Sequence, residues 1–452
     1  MKKYVAQSLM LGCLALASAA HPAAAQFSFL SALQSKSPGK DADSAAVQQA
    51  AEAFAAPHED WVRPYFAALY RDGEWGAVLH FQRLGLAAME KKRYALARKA
   101  FDEAIVRVEA IYADEPNAAK ARSVFNAEAV KDFKGEPYER SMLYFYRGLL
   151  YLQEGDYQNA RAAFLAADRH NTLSSAEDKA FKGDFGLMKY MAGWASYCDG
   201  DAVRGEQLVQ EARAADSKMT ALPEKPANSI ILVDVGPAPV KWGDGEYKQI
   251  LKFKPGVGLN DTPQLRTAAG RTLDSLAVAG DLAYQATTRG GREVDGIMAG
   301  KAQFKGTAGK IGNVATAAGM QAVAMGAMNG NRDMTNAGFA GMFIGLIAKG
   351  VEASTNPAAD VRAWDTLPGR ILVHVEQDVA NPKLQLLQSG QPMALPLIAA
   401  SGTCSIAWGR FRTADPVPAA EPEKRSMEAN RGDRNRALRE TLSRDFAATA
   451  IN

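Results

Sequence analysis

Between residues 61 and about 217, apolar residues recur at three- and four-residue spacing, broken by short polar turns at Lys92-Arg93, Gly155-Asp156 and Gly200-Asp201. That period predicts α-helices joined in pairs. A set of small and aromatic residues returns within it at fixed offsets. Gly85, Tyr94, Ala97, Phe101 and Ala104 are matched by Gly148, Tyr157, Ala160, Phe164 and Ala167, and more loosely by Gly193, Ala202, Gly205, Val209 and Ala212. Glycine on one helix lets its partner approach closely, so these positions are expected to pack hairpins together, and stacked hairpins make a concave surface. Gly85 and Gly148 are 63 residues apart, and Gly148 and Gly193 are 45 apart, so segments are inserted between hairpins. The second helix of the first hairpin should stop before Pro116, with an extra helix at 118–130 and a loop at 131–137.

The pattern changes at residue 221. Leu222-Pro223-Glu224-Lys225-Pro226 reads as a linker, and short apolar runs follow at 230–235, 249–253, 273–278, 370–375 and 404–408. These predict a small sheet covered on at least one side. Between them, 306–351 has few charges and carries small residues at helical spacing, including Gly319, Gly326, Gly341 and Gly345. Such spacing lets helix backbones touch, as in membrane helices. One arm, 311–331, contains Asn313, Thr316 and Gln321, and the other, 334–348, is shorter than the roughly 20 residues of a span. A packed helical hairpin is therefore expected ahead of a membrane-inserting one. The fold class is α+β: a helical-repeat unit at 58–220, a mixed unit at 227–412 and a charged flexible tail at 413–452, whose alternating charges from Ala419 read as a solvated helix or a disordered extension.

Residues 1–25 have the parts of an export signal: Lys2-Lys3, an apolar run and Ala23-Ala24-Ala25, followed by a leader or frayed helix at 26–57. The periplasm is the expected address. Met10-Leu11-Gly12-Cys13 offers a rival lipoprotein box, with outer-membrane association as its consequence. The net charge is +3, and loss of Lys2 and Lys3 leaves +1, which gives no electrostatic case for nucleic acid. In an oxidising compartment Cys198 and Cys404 could pair, but cysteines so distant in sequence are expected to stay apart. There is no C-x-x-C and no Cys/His cluster, so no metal or cofactor is expected.

The hairpins resemble tetratricopeptide repeats (TPR), the second most closely through Tyr144, Gly148, Tyr151, Gly155, Tyr157, Ala160, Phe164 and Ala167. The mature chain as a whole resembles a bacterial family of exported TPR proteins, often lipoproteins. Three segments carry this: Lys134-Gly135-Glu136-Pro137-Tyr138-Glu139, the Gly-x-x-Pro-Val motif at 236–240 with Lys241, and 360–368 with Asp360, Arg362, Trp364, Leu367 and Pro368. The resemblance implies a solenoid and an envelope address, without an activity.

No catalytic constellation is evident. Gly300-Lys301 and Gly309-Lys310 lack the spacing of a phosphate-binding loop, and there is no Gly-x-Ser-x-Gly elbow. His80 is expected at a helix surface or groove, His374 packed within a strand, and Asp199 and Asp201 hydrated at a turn. His58 and His170 lie in no motif. Tyr144, Tyr151 and Tyr157 hold packing positions, which leaves Arg140, Tyr146 and Arg147 as candidates for an exposed partner-binding surface. Trp364 is expected to plug the C-terminal core. The resulting expectation is an exported, non-enzymatic adaptor that binds a protein or peptide partner. The alternative is a membrane-associated or oligomerising protein acting through 306–351. A cell-wall enzyme would require His80, His374 and Asp234 to converge.

Overall fold

The structure, a computed structural model, describes residues 45–113, 132–172, 185–215, 222–245, 248, 250–256, 263–266, 272, 276–287, 359–377, 384–388, 391–395, 397–401, 404–411 and 431–447. The export signal, the helix expected at 118–130, the glycine-lysine pairs at 300–301 and 309–310, and the hairpin at 306–351 with Gly319, Gly326, Gly341 and Gly345 lie outside them.

The architecture mixes helices and strands in an α+β arrangement. Helices α1 (Ala45–Ala55) and α2 (Arg63–Asp72) lead through a 3-10 turn (Gly73–Trp75) into three hairpins: α3 (Ala77–Glu90) with α4 (Tyr94–Ala113), α5 (Pro137–Gln153) with α6 (Tyr157–Thr172), and α7 (Gly186–Cys198) with α8 (Ala202–Ala215). Local chemistry sets their ends. Pro137 opens α5 behind a capping box, in which Glu136 and Glu139 each accept the other's backbone N–H. Asp156 and Asp201 accept the backbone N–H groups of Asn159 and Arg204 at 3.0 Å and so begin α6 and α8.

The recurring residues meet as their spacing predicts. A Cβ placed on Gly85 would lie 2.5 Å from the Phe101 ring, and one on Gly148 the same distance from Phe164. In the third hairpin Val209 replaces the aromatic ring, and a Cβ on Gly193 would instead meet the Gly205 carbonyl at 2.8 Å. The backbones there touch directly. Ala97, Ala104, Ala160 and Ala167 are fully buried, whereas Tyr94, Tyr151 and Tyr157 are half-buried against the core. Each hairpin turn places one residue in the left-handed region: Lys92 (φ 60°), Gly155 (φ 75°) and Gly200 (φ 91°). The first repeat alone uses a side chain there, at a cost on the order of 1 kcal/mol.

The chain then forms β1 (Ser229–Pro237), β2 (Val240–Asp244), β3 (Ile250–Lys254), β4 (Leu265–Arg266), β5 (Ala277–Asp281), a short α9 (Leu282–Thr287), β6 (Pro368–Glu376), β7 (Leu384–Gln388), β8 (Gln391–Leu395), β9 (Leu397–Ser401) and β10 (Cys404–Phe411). Five of them make a mixed sheet in the order β5-β6-β1-β10-β9, in which β1 runs parallel to β10 and antiparallel to β6. The strands expected at 230–235, 249–253, 370–375 and 404–408 are present, while the one expected at 273–278 begins later, at Ala277. Strand β1 is buried on both faces. Ile230 and Leu232 join the core shared with the helices, whereas Ile231, Val233 and Val235 pack with Leu372, Ala407 and Phe411 beneath Leu265 of β4 and Leu395 of β8. Sheet coverage is thus two-sided.

Three expectations need correction. Within 26–57, expected as a leader or frayed helix, α1 is folded rather than frayed and buries Ala51 and Ala55. The C-terminal tail contains α10 (Arg431–Asp445), which docks on the first helices. Leu438, Leu442 and Phe446 are buried, and the Phe446 ring lies 5.5 Å from Phe81 and 6.1 Å from Phe66. Lastly, the helical and mixed units share one hydrophobic core, running from Ala55 and Phe66 through Phe101, Tyr146 and Trp364 to Ile230, Ile406 and Trp408. The helix-to-strand change falls where the linker was expected, but packing continues across it.

Candidate functional site

The three segments that carried the family resemblance converge. Glu139, fully buried in α5, accepts the Trp364 backbone N–H at 2.7 Å through Oε1 and the Lys241 ammonium at 2.7 Å through Oε2. Lys241 also donates to the Arg362 carbonyl at 2.8 Å. The Arg362 guanidinium forks onto Asp360 at 2.7 and 2.9 Å, donates to the Trp75 carbonyl at 2.7 Å and stacks 4.4 Å from the Trp75 ring centroid. The segment continues outward: Arg83 of α3 binds Asp365 at 2.8 Å, and Arg410 of β10 donates to the Thr366 carbonyl. One loop therefore ties α3, α5, β2 and β10 together. Its indole, Trp364, packs 5.8 Å from Tyr146 and 6.3 Å from Phe101. Trp364 plugs the junction of helices and sheet rather than a separate C-terminal core.

A second buried cluster lies beside it. Alternation along β1 turns Asp234 to the same side as Ile230 and Leu232, where the Tyr146 hydroxyl donates to it at 2.6 Å. Its cross-strand neighbour is Arg410, whose Nε stands 3.6 Å from Asp234 Oδ2 and which also pairs with Glu90 of α3. Burial pushes the Asp234 carboxyl up to about 6, despite the opposing pull of Arg410. The Tyr146 hydroxyl is pushed up too, by burial first and the Asp234 charge second.

The expected partner-binding residues take inward roles. Tyr146 is fully buried, Arg140 donates to the Gly135 carbonyl at 2.6 Å, and Arg147 binds Asp102 at 2.7 Å while lying 3.7 Å over the Tyr151 ring. None is exposed. The physical reasons differ: the sheet covers Tyr146 through Asp234 and Trp408, whereas Arg147 is held between α4 and its own helix by Asp102 and Tyr151, and Arg140 turns back to the loop before α5. Residues from Pro137 to Leu150 of α5 are buried throughout, as are Gly186 to Met188 and Tyr190 to Ser196 of α7. The side expected to be a concave groove is occupied by the chain's own strands.

The acid-base candidates stay apart. His80 is buried rather than at a surface or groove, and its Nε2 lies 2.8 Å from Asp72. Burial lowers the His80 imidazole. His374 alternates with Val373, so it faces away from Asp234, and its nearest acid is Glu376 at 3.5 Å. His170 stacks 4.7 Å from Tyr144, and both meet Glu109. His58 lies against the Phe66 ring. Asp199 and Asp201 are exposed at their turn, as expected. No group of three His, Cys, Asp or Glu side chains among the described residues is placed to hold a metal ion.

Cys198 and Cys404 form a disulfide with Cα atoms 5.9 Å apart, against the expectation that they stay unpaired. Helix α7 crosses the sheet: Phe185, at its start, packs on Gly280 of β5, and Cys198, at its end, bonds to β10. A shallow depression between α2 and α10 is lined by Tyr70, Arg436, Arg439, Glu440, Ser443 and Arg444. Two of these arginines pair with Asp433 and Asp445. No helix among the described residues is long and apolar enough to cross a membrane. No protein-family model matches the chain, and no curated protein or solved structure matches it.

Proposed function

We propose that this chain is an exported, non-enzymatic scaffold in which TPR-like hairpins grip the chain's own sheet and present a rigid outer surface to a protein partner. The observation that carries this reading is the burial of α5 along its length between its neighbouring helices and the strands, with Tyr146–Asp234 joining it to the sheet and Glu139–Lys241 to β2. The buried charged groups hold rather than react, since their partners are the protein's own. The disulfide between Cys198 and Cys404 supports an oxidising compartment, in keeping with the signal at 1–25. With the groove filled, a partner meets the outer faces of α4 and α8, where Val106 and Val203 are exposed. Site-specific photo-cross-linkers at these two positions in the exported protein should yield discrete protein adducts in envelope extracts. Absence of protein adducts from both would sink the adaptor reading.

A second reading, association with an envelope membrane, rests on where the Gly/Ala-rich stretch leaves the fold. Residues 288–358 depart after α9, which packs against β3, and return at Ala359, whose N–H donates to the Lys248 carbonyl at 3.0 Å just before β3. Both ends thus lie at one ribbon.

A further inference from the structure

The β2–β3 ribbon pairs Val240 with Lys254, Trp242 with Lys252 and Asp244 with Ile250. Alternation gives it two unlike faces. Inward, Lys241 reaches Glu139, and Phe253 lies 6.0 Å from Tyr138 at the start of α5. This fixes the ribbon on the helical body. Outward lie Trp242, Ile250, Lys252 and Lys254, with Trp242 39% and Ile250 41% exposed. Val106 and Val203, the other exposed large apolar residues among those described, stand alone on separate helices. Trp242 and Ile250 are diagonal neighbours on one surface. Lys252 Nζ sits 5.5 Å from the Trp242 ring centroid and pairs with Asp244, and Lys248 is exposed at the adjoining turn.

We propose that this outward face is where the chain meets an anionic phospholipid bilayer. The inference rests on the membrane-association reading and names its contact surface. An indole beside an aliphatic side chain, ringed by ammonium groups, suits the headgroup boundary: the rings bury shallowly while the lysines meet lipid phosphates. Among the described residues of this face, Lys252 is offset by Asp244 and Lys248 and Lys254 add positive charge, which is complementary to anionic lipid. The described residues on either side of 288–358 lie beside it: α9 packs on β3, and Ala359 donates to the Lys248 carbonyl.

The test is flotation of the full exported chain with vesicles of equal phosphatidylglycerol and phosphatidylcholine, and with phosphatidylcholine alone. Binding to the first and at least tenfold weaker binding to the second are expected. Trp242→Ser/Ile250→Ser should weaken binding to the anionic vesicles at least tenfold while the variant keeps the wild-type circular dichroism spectrum and cooperative melting. If this variant floats as the wild type does, the ribbon proposal is overturned and membrane association must lie elsewhere in the chain. If the wild type binds neither vesicle, the ribbon proposal and the membrane reading both fall. A cross-linker at Trp242 that captures only protein would also overturn it.

Discussion

Asp234 follows Ile230 and Leu232 on the helix-facing side of β1, where an aliphatic residue would fit the pattern. A carboxylate there loses hydration, and one hydrogen bond from Tyr146 with a guanidinium 3.6 Å away replaces it only partly. Its pKa is about 6, against roughly 3.9 in an unfolded chain. Because the folded value is raised, this group's stabilisation is full below about pH 4 and is lost as pH rises through 6. His80, whose pKa is lowered by burial, acts in the opposite sense, losing stability as pH falls below about 6.5. The two are separated by difference. Relative to Asp234→Asn, the wild type should lose on the order of 2 kcal/mol between pH 4.5 and 7.5, read from urea unfolding at both pH values. Equal pH dependence in both proteins would show that Asp234 is not desolvated as described. At this scale Gly85 and Phe101 were legible in the sequence, because a glycine sixteen residues before an aromatic ring is a local consequence of hairpin packing. Tyr146 was not, since its burial depends on Trp364 and Trp408, more than 200 residues away.

Helix α10 shows why elements were only partly legible. Its charge alternation reads as a solvated segment, yet Leu438, Leu442 and Phe446 recur every four residues and align on one face. That face seals the exposed end of the first helices, as a terminal cap does in stacked hairpins. Polar contacts fix its register: Asn435 accepts the Glu74 backbone N–H at 2.9 Å, Arg434 binds Asp132 at 2.6 Å, and Arg439 stacks 4.8 Å from the Tyr70 ring. Leu442 is fully buried, so Leu442→Ala should cost about 2–5 kcal/mol, measured by chemical denaturation. A loss below about 0.5 kcal/mol, as for a surface change, would return 431–446 to the flexible tail that composition suggested. The same limit governed the strands. Runs of Ile, Leu and Val marked β1 and β6, but β2, held by Lys241 beneath α5, has only Val240 and Trp242 and no apolar run.

At the scale of the whole molecule, the linker at 222–226 marks a change of secondary structure but not a gap in packing. Trp194 donates across it to the Ala227 carbonyl at 2.6 Å, the core continues into the sheet, and a disulfide 206 residues apart in sequence fastens α7 to β10. No spacing rule could reveal that bond, because it requires α7 to lie across the sheet first. Two consequences can be told apart. The disulfide restricts the unfolded chain, so Cys198→Ser/Cys404→Ser should lower unfolding free energy by about 2–5 kcal/mol. The shared core makes unfolding cooperative whether or not that bond is present, because helices and sheet lose the same buried groups together. Far-UV circular dichroism, which follows the helices, and the fluorescence of a background in which Trp61, Trp75, Trp194 and Trp242 are Phe, which follows Trp364 and Trp408 at the junction, should therefore give coincident transitions with and without the disulfide. Separate transitions in the serine variant alone would mean that the disulfide, rather than Glu139–Lys241 and Tyr146–Asp234, joins two independently folding halves.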